Sequence, residues 1–226
     1  MRRFMRSLWI LALLAALPAF AQGDYKGEAL ASPAPADVPK ALADVLQPQG
    51  AKLVDGQGNP LGEIWLAKSI AGQASTSSGD IIYGSIQPGA FVGVLHYPAG
   101  GSDFRGQSIK SGYYSLRYDL IPQDGNHMGV SQYRDFLVLL PVAQDTDPTK
   151  ALKFEDAVKL SRAASGTGHP GVLSLDPADG APSSLPGALK DDSGNWAIAA
   201  KTQVKAEGGA ATDLTMVIVL VGKYQG

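Results

Sequence analysis

The chain contains no cysteine, and this absence sets the first limits on its chemistry. Disulfide bonds, thiolate nucleophiles, cysteine-ligated zinc and covalently attached c-type haem are all excluded. A lipoprotein anchor is excluded as well, because such an anchor needs a cysteine after the apolar N-terminal segment. The folded state must therefore be stabilised by burial of apolar side chains, which a chain of 226 residues can supply.

Several common functional motifs are also missing. The chain has no Gly-x-Ser-x-Gly elbow, no Ser-x-x-Lys motif, no P-loop and no dinucleotide fingerprint. It has no basic cluster and a formal net charge of −2, so nucleic-acid binding is excluded. The three histidines, His96, His127 and His169, are far apart in sequence and have no metal-ligand spacing. The sequence therefore predicts no metal and no cofactor.

Residues 1–21 have the three parts of a cleavable signal peptide. Three arginines stand among the first six residues, no charge occurs from Ser7 to Phe20, and Ala19-Phe20-Ala21 fits a peptidase site. The apolar run of about 14 residues is short of the roughly 20 that span a bilayer. We expect export to the periplasm or the medium, with a mature chain that begins at Gln22, carries net charge −5 and has no membrane anchor.

The next segment, residues 22–37, has the composition of a flexible linker, with Gly, Ala, Ser and two prolines. Residues 38–226 are then expected to form a single domain. A short helix opens it, because Val38, Leu42, Val45 and Leu46 recur on one helical face.

The remainder reads as about nine short strands separated by turns, with 27 glycines and 15 prolines in the chain. This pattern predicts a mainly β fold, an antiparallel β-sandwich of jelly-roll or immunoglobulin-like type with one or two short helices. The predicted strands are 51–54, 62–70, 81–83, 90–97, 113–122, 134–142, 172–175, 196–204 and 214–221.

Three segments give sharper expectations. Alternation over Tyr113–Pro122 predicts that Ser115, Arg117 and Asp119 face water. The mostly apolar run Arg134–Val142 predicts a strand covered on both faces. Asp147-Pro148 predicts the start of a second helix that ends at Gly166. We expect its buried stripe to consist of Phe154, Ala157, Val158 and Leu160.

The densest group of polar side chains is the candidate ligand site, which we place at one end of the sheet. An acid, a histidine and an Arg-Asp pair in one region could bind a polar ligand. The same residues also suit a purely structural role, in which Asp-Gly-Asn forms a turn and the Arg-Asp pair fixes the loop. The candidates are Asp124, His127, Arg134, Asp135 and His169.

Two other functions stay open. A periplasmic hydrolase could act through paired carboxylates or a histidine-bound metal. A carbohydrate-binding module would need a row of exposed aromatic side chains, for which the strand aromatics Trp65, Trp196, Tyr83, Tyr97, Tyr113 and Tyr133 are the candidates. Strand aromatics are more often core residues.

Residues 106–170 resemble a pattern in uncharacterised exported β-sandwich proteins of bacteria. The likeness rests on Ile109–Tyr118, Pro122–Gly129, Tyr133–Phe136 and Ser165–Pro170. The resemblance implies the β-sandwich fold and carries no known activity. Because the common catalytic motifs are missing, we expect a non-catalytic binding or structural module whose ligand is a small molecule, a sugar or a peptide.

Overall fold

The structure is a computed structural model, and it describes residues 24–76, 78–123 and 131–223. Strands account for 43% of the chain and helices for 11%, which confirms the predicted mainly β class with two helices. In the described part of the chain, neither helix is long and apolar enough to cross a membrane.

Thirteen strands and two helices follow one another along the described chain. The first half contains β1 (Lys26–Leu30), α1 (Lys40–Ala43), β2 (Gly50–Val54), β3 (Pro60–Leu66), β4 (Ile70–Gly72), β5 (Phe91–Tyr97), β6 (Gly101–Ser102), β7 (Ser108–Ile109) and β8 (Gly112–Leu120). The second half contains β9 (Asp135–Pro141), α2 (Phe154–Ser165), β10 (Val172–Asp176), β11 (Gly187–Lys190), β12 (Trp196–Ala206) and β13 (Thr212–Val221).

Eleven of these strands form one continuous sheet. Its order is β1-β2-β3-β5-β8-β9-β10-β13-β12-β11, with antiparallel neighbours throughout, and β4 adds to β12 in parallel. Strands β6 and β7 form a separate hairpin. Strand β10 is the corner of the sheet, because Val172–Ser174 pair with β9 whereas Leu175 and Asp176 pair with β13.

The sheet curls around its core, and a two-sheet sandwich is not confirmed. The seven strands that follow one another in the sheet from β1 through β2, β3, β5, β8 and β9 to β10 form a half-barrel. The opposite ends of the sheet meet where Gly27 of β1 packs against Gly187 of β11, so closely that a β-carbon at Gly27 would overlap the Gly187 backbone. The main core therefore lies inside one curved sheet, and both halves contribute to it, for example Leu95 and Leu116 from one and Met216 and Ile218 from the other.

The N-terminal region differs from the predicted linker. Residues 26–30, within the stretch 22–37, form the edge strand β1 and pair with β2 in register Ala29↔Ala51. The sequence does not predict this strand, because most of its side chains are exposed and it is stabilised by backbone hydrogen bonds to β2. The short helix α1 begins at Lys40. It ends at Ala43, so the predicted helix is shorter than expected. The predicted apolar positions do face the core, because Val38, Leu42 and Leu46 are buried and Val45 is half-buried, but only Leu42 lies within the helix.

The outer face of the sheet is covered at β8 and β9. Strand β9 is buried on both faces, as predicted. The prediction for β8 is wrong, because Ser115, Arg117 and Asp119 are buried rather than exposed to water. The chain from Val142 to Ser165, a short 3₁₀ turn, an irregular segment and α2, crosses this outer face and covers it.

Helix α2 begins later than predicted. Asp147 does not cap it; its Oδ1 instead accepts bonds from the Thr149 N–H at 2.9 Å and the Thr149 hydroxyl at 2.6 Å, which closes a local turn. The helix begins at Phe154. Its end at Gly166 is confirmed, where the glycine adopts a left-handed φ of 67° as the C-cap.

Candidate functional site

Of the five predicted site residues the structure describes three, and it does not bring Asp135 and His169 together. Asp124 and His127 lie outside the described residues. Asp135 is fully buried on the inner face of the sheet, beside Tyr118 of the main core. His169 is exposed in the loop after α2, on the outer face. Asp135 and His169 therefore belong to different surroundings.

Asp135 anchors a neighbouring loop. Its Oδ1 accepts the Tyr83 N–H at 2.8 Å and the Tyr118 hydroxyl at 2.7 Å, and its Oδ2 accepts the Ile82 N–H at 2.9 Å. These bonds hold residues 81–83, predicted as a strand, in a loop instead. Because this fully buried carboxylate already accepts three hydrogen bonds from the protein, its role is structural.

Arg134 is also occupied by the protein itself. Its Nε donates to the Ile121 carbonyl at 3.0 Å, and the same atom lies 4.0 Å from Asp80 Oδ2. Arg134 and Asp135 therefore fix two different segments. The sequence assigned the pair to the loop 124–129, which lies outside the described residues, and the observed contacts fix other segments.

His169 lines a groove on the outer face of the sheet. It exists because α2 lies close against β9, and small side chains permit that approach. Ala157, Ser161 and Ala164 form the buried side of the helix. The Ser161 hydroxyl donates to the Gly171 carbonyl at 3.2 Å and accepts the Gly171 N–H at 2.9 Å, which fixes the helix against the start of β10.

The larger side chains of α2 lie beside this contact and face the groove. Phe154, Val158 and Arg162 recur at every fourth residue and so share one row of the helix. Phe154 and Val158 are half-buried and Arg162 is exposed. The predicted stripe is therefore corrected: of its four residues Ala157 alone is buried, and Leu160 is half-buried.

The groove has a volume of about 500 Å³, which is within the range of small-molecule sites. Its floor is the outer face of β9 and β10, and α2 forms one wall. Six of the apolar lining residues are Phe104, Ile121, Phe136, Phe154, Val158 and Val172. All but Phe136 remain partly exposed, so the floor and walls present apolar surface to solvent.

The turn between β6 and β7 forms the other wall. Phe104 N–H donates to the Val172 carbonyl at 2.8 Å, which attaches the turn to β10. Asp103 is fully buried, and its Oδ1 accepts the N–H groups of Arg105 at 3.0 Å and Gln107 at 2.7 Å. This anchored turn presents Arg105 at the mouth of the groove.

One end of the groove is basic. Arg105, Arg162 and His169 line it, and no carboxylate is among the described lining residues. The two loops that carry Arg105 and His169 are tied together, because Gln107 donates to the Pro170 carbonyl at 2.9 Å and accepts from the Thr167 hydroxyl at 2.6 Å. The three basic side chains therefore lie at the end where α2 finishes.

The other end of the groove is apolar and close to acids. Phe136 and Phe154 meet there edge to face at 6.3 Å between ring centroids. Asp119 pairs with Phe136 in the β8–β9 register. Burial, with repulsion from Glu155 as a smaller cause, raises the pKa of Asp119 to about 6. Two hydroxyls, Ser131 and Ser174, also line the groove.

The metal-dependent form of the hydrolase interpretation finds no metal site among the described residues. No three histidine, aspartate or glutamate side chains come together there as a metal-binding cluster. His96 Nδ1 lies 2.8 Å from Glu63 Oε2, and its ring stacks on Tyr113 at 4.1 Å between centroids. This contact joins side chains that are in register across β3, β5 and β8.

Most of the aromatic side chains considered for sugar binding belong to the core. Trp65, Trp196, Tyr83 and Tyr97 are buried, and the Trp65 indole N–H donates to the Ser32 carbonyl at 2.9 Å. Tyr113 and Tyr133 are half-buried. Four of the six aromatic candidates are therefore covered by the protein, and one face of the Tyr113 ring is covered by His96.

The groove could be anticipated only in part from sequence. The four-residue spacing alone predicts that Phe154, Val158 and Arg162 lie in one row on the helix. Arg105 gives no such signal, because a distant turn brings it to the groove.

Comparison with known proteins adds no functional information. No protein-family model matches the chain, and no curated protein or solved structure is significantly similar to it.

Proposed function

We propose that this protein is a non-catalytic binding module for a small molecule, and that the groove between α2 and the β6–β7 turn is its binding site. The observation that carries the proposal is the groove itself, about 500 Å³ with apolar walls that solvent reaches. Small-molecule sites commonly combine an apolar lining with a few polar groups. Exposed apolar surface in a concave site costs free energy unless a ligand covers it.

We also propose that the protein is exported. The support is the sequence of residues 1–21, with its basic start, uncharged apolar run and small-residue cleavage site. Expression of the full chain in a Gram-negative host, followed by fractionation and N-terminal sequencing, tests this proposal. We expect a periplasmic or secreted product that begins at Gln22. A cytoplasmic product that begins at Met1 contradicts export.

Filling the groove tests the binding function. Val158→Trp places a large side chain in the groove, and Lys159→Trp places the same side chain on the exposed side of the same helix as a control. The neutral apolar dye Nile red serves as the probe, and its fluorescence rises in an apolar site. We expect the wild-type protein and the Lys159→Trp variant to bind the dye equally.

The Val158→Trp variant is expected to lose dye binding while its circular dichroism spectrum stays native. Equal dye binding by both tryptophan variants, or no binding by the wild-type protein, overturns the groove as the site.

A further inference from the structure

We infer that the ligand of the groove is a single-chain amphiphile with an anionic head group, an inference that rests on the proposed binding function. The head lies at the end lined by Arg105, Arg162 and His169, and the apolar chain lies along Val158 toward Phe154. The first argument is charge. Three basic side chains line the groove, and in the described part of the chain no acid shares that lining.

The basic groups are available to a ligand. Among the described residues, no carboxylate lies within ion-pair distance of Arg105 or Arg162. Arg105 is nevertheless held in place, because the buried Asp103 carboxylate accepts its backbone N–H. A guanidinium on an anchored backbone loses less freedom when it binds a carboxylate, phosphate or sulfate head group.

The second argument is polarity along the groove. Helix α2 has Glu155 and Asp156 in its first turn and Arg162 in its last. The acidic first turn and the neighbouring Asp119 disfavour an anion at the Phe154 end. A ligand with a charged head and an uncharged tail therefore has one favourable orientation, with its head beside Arg162.

The third argument is the length and shape of the apolar part. From Phe154 to Arg162 the helix axis advances about 12 Å at 1.5 Å per residue. The walls along this distance are Val158, Val172 and the two aromatic rings at the far end. A medium-length alkyl chain matches an apolar groove of this length, and burial of each methylene adds to affinity.

The experiment compares three amphiphiles that share one alkyl chain. Decanoate, decanol and decyltrimethylammonium are titrated calorimetrically into the full protein below their critical micelle concentrations. We expect decanoate to bind most tightly and the cation most weakly. The preference for decanoate is expected to weaken as salt is added, because the basic side chains are exposed and their field is screened.

Variants of the arginines locate the head group. Arg105→Gln and Arg162→Gln are each expected to weaken decanoate binding about two- to fivefold, with decanol binding unchanged, because an exposed charge pair contributes a small energy. Lys159→Gln, which removes an exposed cation outside the groove lining, is the matched control and is expected to change neither affinity.

The outcomes separate the two proposals. Equal affinity for all three amphiphiles, or decanoate binding that both arginine variants retain in full, overturns the anionic ligand and leaves the groove as a neutral apolar site. If no amphiphile binds and Nile red does not bind either, the binding function itself is overturned.

Discussion

Removing the guanidinium of Arg117 is the sharpest test of how the outer face is held together. Arg117 and Asp145 are 1% and 2% exposed, and they form a two-pronged ion pair at 2.7 Å from Nε and 2.5 Å from Nη2. The other N–H groups of Arg117 donate to the carbonyls of Gly89, Asp147 and Lys150 at 2.7–3.1 Å. All five donors of the guanidinium are thus used.

Arg117→Met keeps much of the volume and removes every one of these bonds. Asp145 then stays buried with the Ser115 hydroxyl, 2.6 Å from its Oδ2, as its remaining partner in the described network. Breaking a buried ion pair on one side costs about 3–5 kcal/mol of unfolding free energy. In a domain of this size each kcal/mol lowers the melting temperature by roughly 2–4 °C, so a fall of about 10 °C is expected.

Urea unfolding and calorimetry of the single and double variants measure this cost. The Arg117→Met/Asp145→Leu double variant removes the isolated charge, so we expect it to be more stable than Arg117→Met alone, with a coupling energy above about 1 kcal/mol. Arg117→Lys, which keeps the charge without the planar fork, covers the case in which Arg117→Met does not fold. Arg162→Met at an exposed position is the control and is expected to change stability by less than about 0.5 kcal/mol.

A loss below about 1 kcal/mol for Arg117→Met would refute the reasoning, because a fully desolvated carboxylate cannot lose its main partner at so small a cost.

Three further predictions concern other parts of the fold. Asp135→Asn is expected to lower the free energy of unfolding by about 2 kcal/mol and to speed hydrogen exchange at the Ile82 and Tyr83 amides, which donate to the carboxylate. Unchanged protection of these two amides contradicts its anchoring role. Burial raises the pKa of Asp176 from 3.8 to about 6. Between pH 3.8 and about pH 6 the native state therefore keeps a proton on Asp176 that the unfolded state has lost. Stability then falls as pH rises through this range, and Asp176→Asn should flatten the melting-temperature profile; an unchanged slope excludes this source. Ala157→Leu is expected to lower the free energy of unfolding by roughly 1–3 kcal/mol, because it overpacks the helix–sheet contact, whereas Val158→Leu is expected to lower it by less than about 1.5 kcal/mol. Thermal unfolding of both variants measures the difference.

The parts of the fold that the sequence predicts are those with a local signal. The unbroken apolar run of β9 requires cover on both faces, and the structure provides it. Gly166 ends α2 because a left-handed residue favours glycine at that point. The spacing of Val38 and Leu42 likewise predicts that both side chains are buried, although only Leu42 lies within α1.

The parts that the sequence does not predict depend on distant partners. Alternation along β8 assigns Arg117 to water, yet its partner Asp145 lies 28 residues away in an irregular segment without periodicity. Asp135 presents the same difficulty, because it accepts hydrogen bonds from backbone N–H groups more than 50 residues upstream. Any residue type has such a group, so the sequence there does not predict the contact. Strand β1 escapes prediction because backbone pairing, and not burial, holds it.

The Arg117 network and the groove have one structural cause, the coverage of the outer face by the chain from Val142 to Ser165. Arg117 donates to the Lys150 carbonyl, four residues before α2 begins, and so fixes the entry to the helix. Ser161 fixes its far half through Gly171. Because both ends of α2 are attached to the sheet, the wall of the groove is in place before any ligand arrives. A ligand therefore does not have to order this wall, and the free energy of burying its apolar chain goes into affinity.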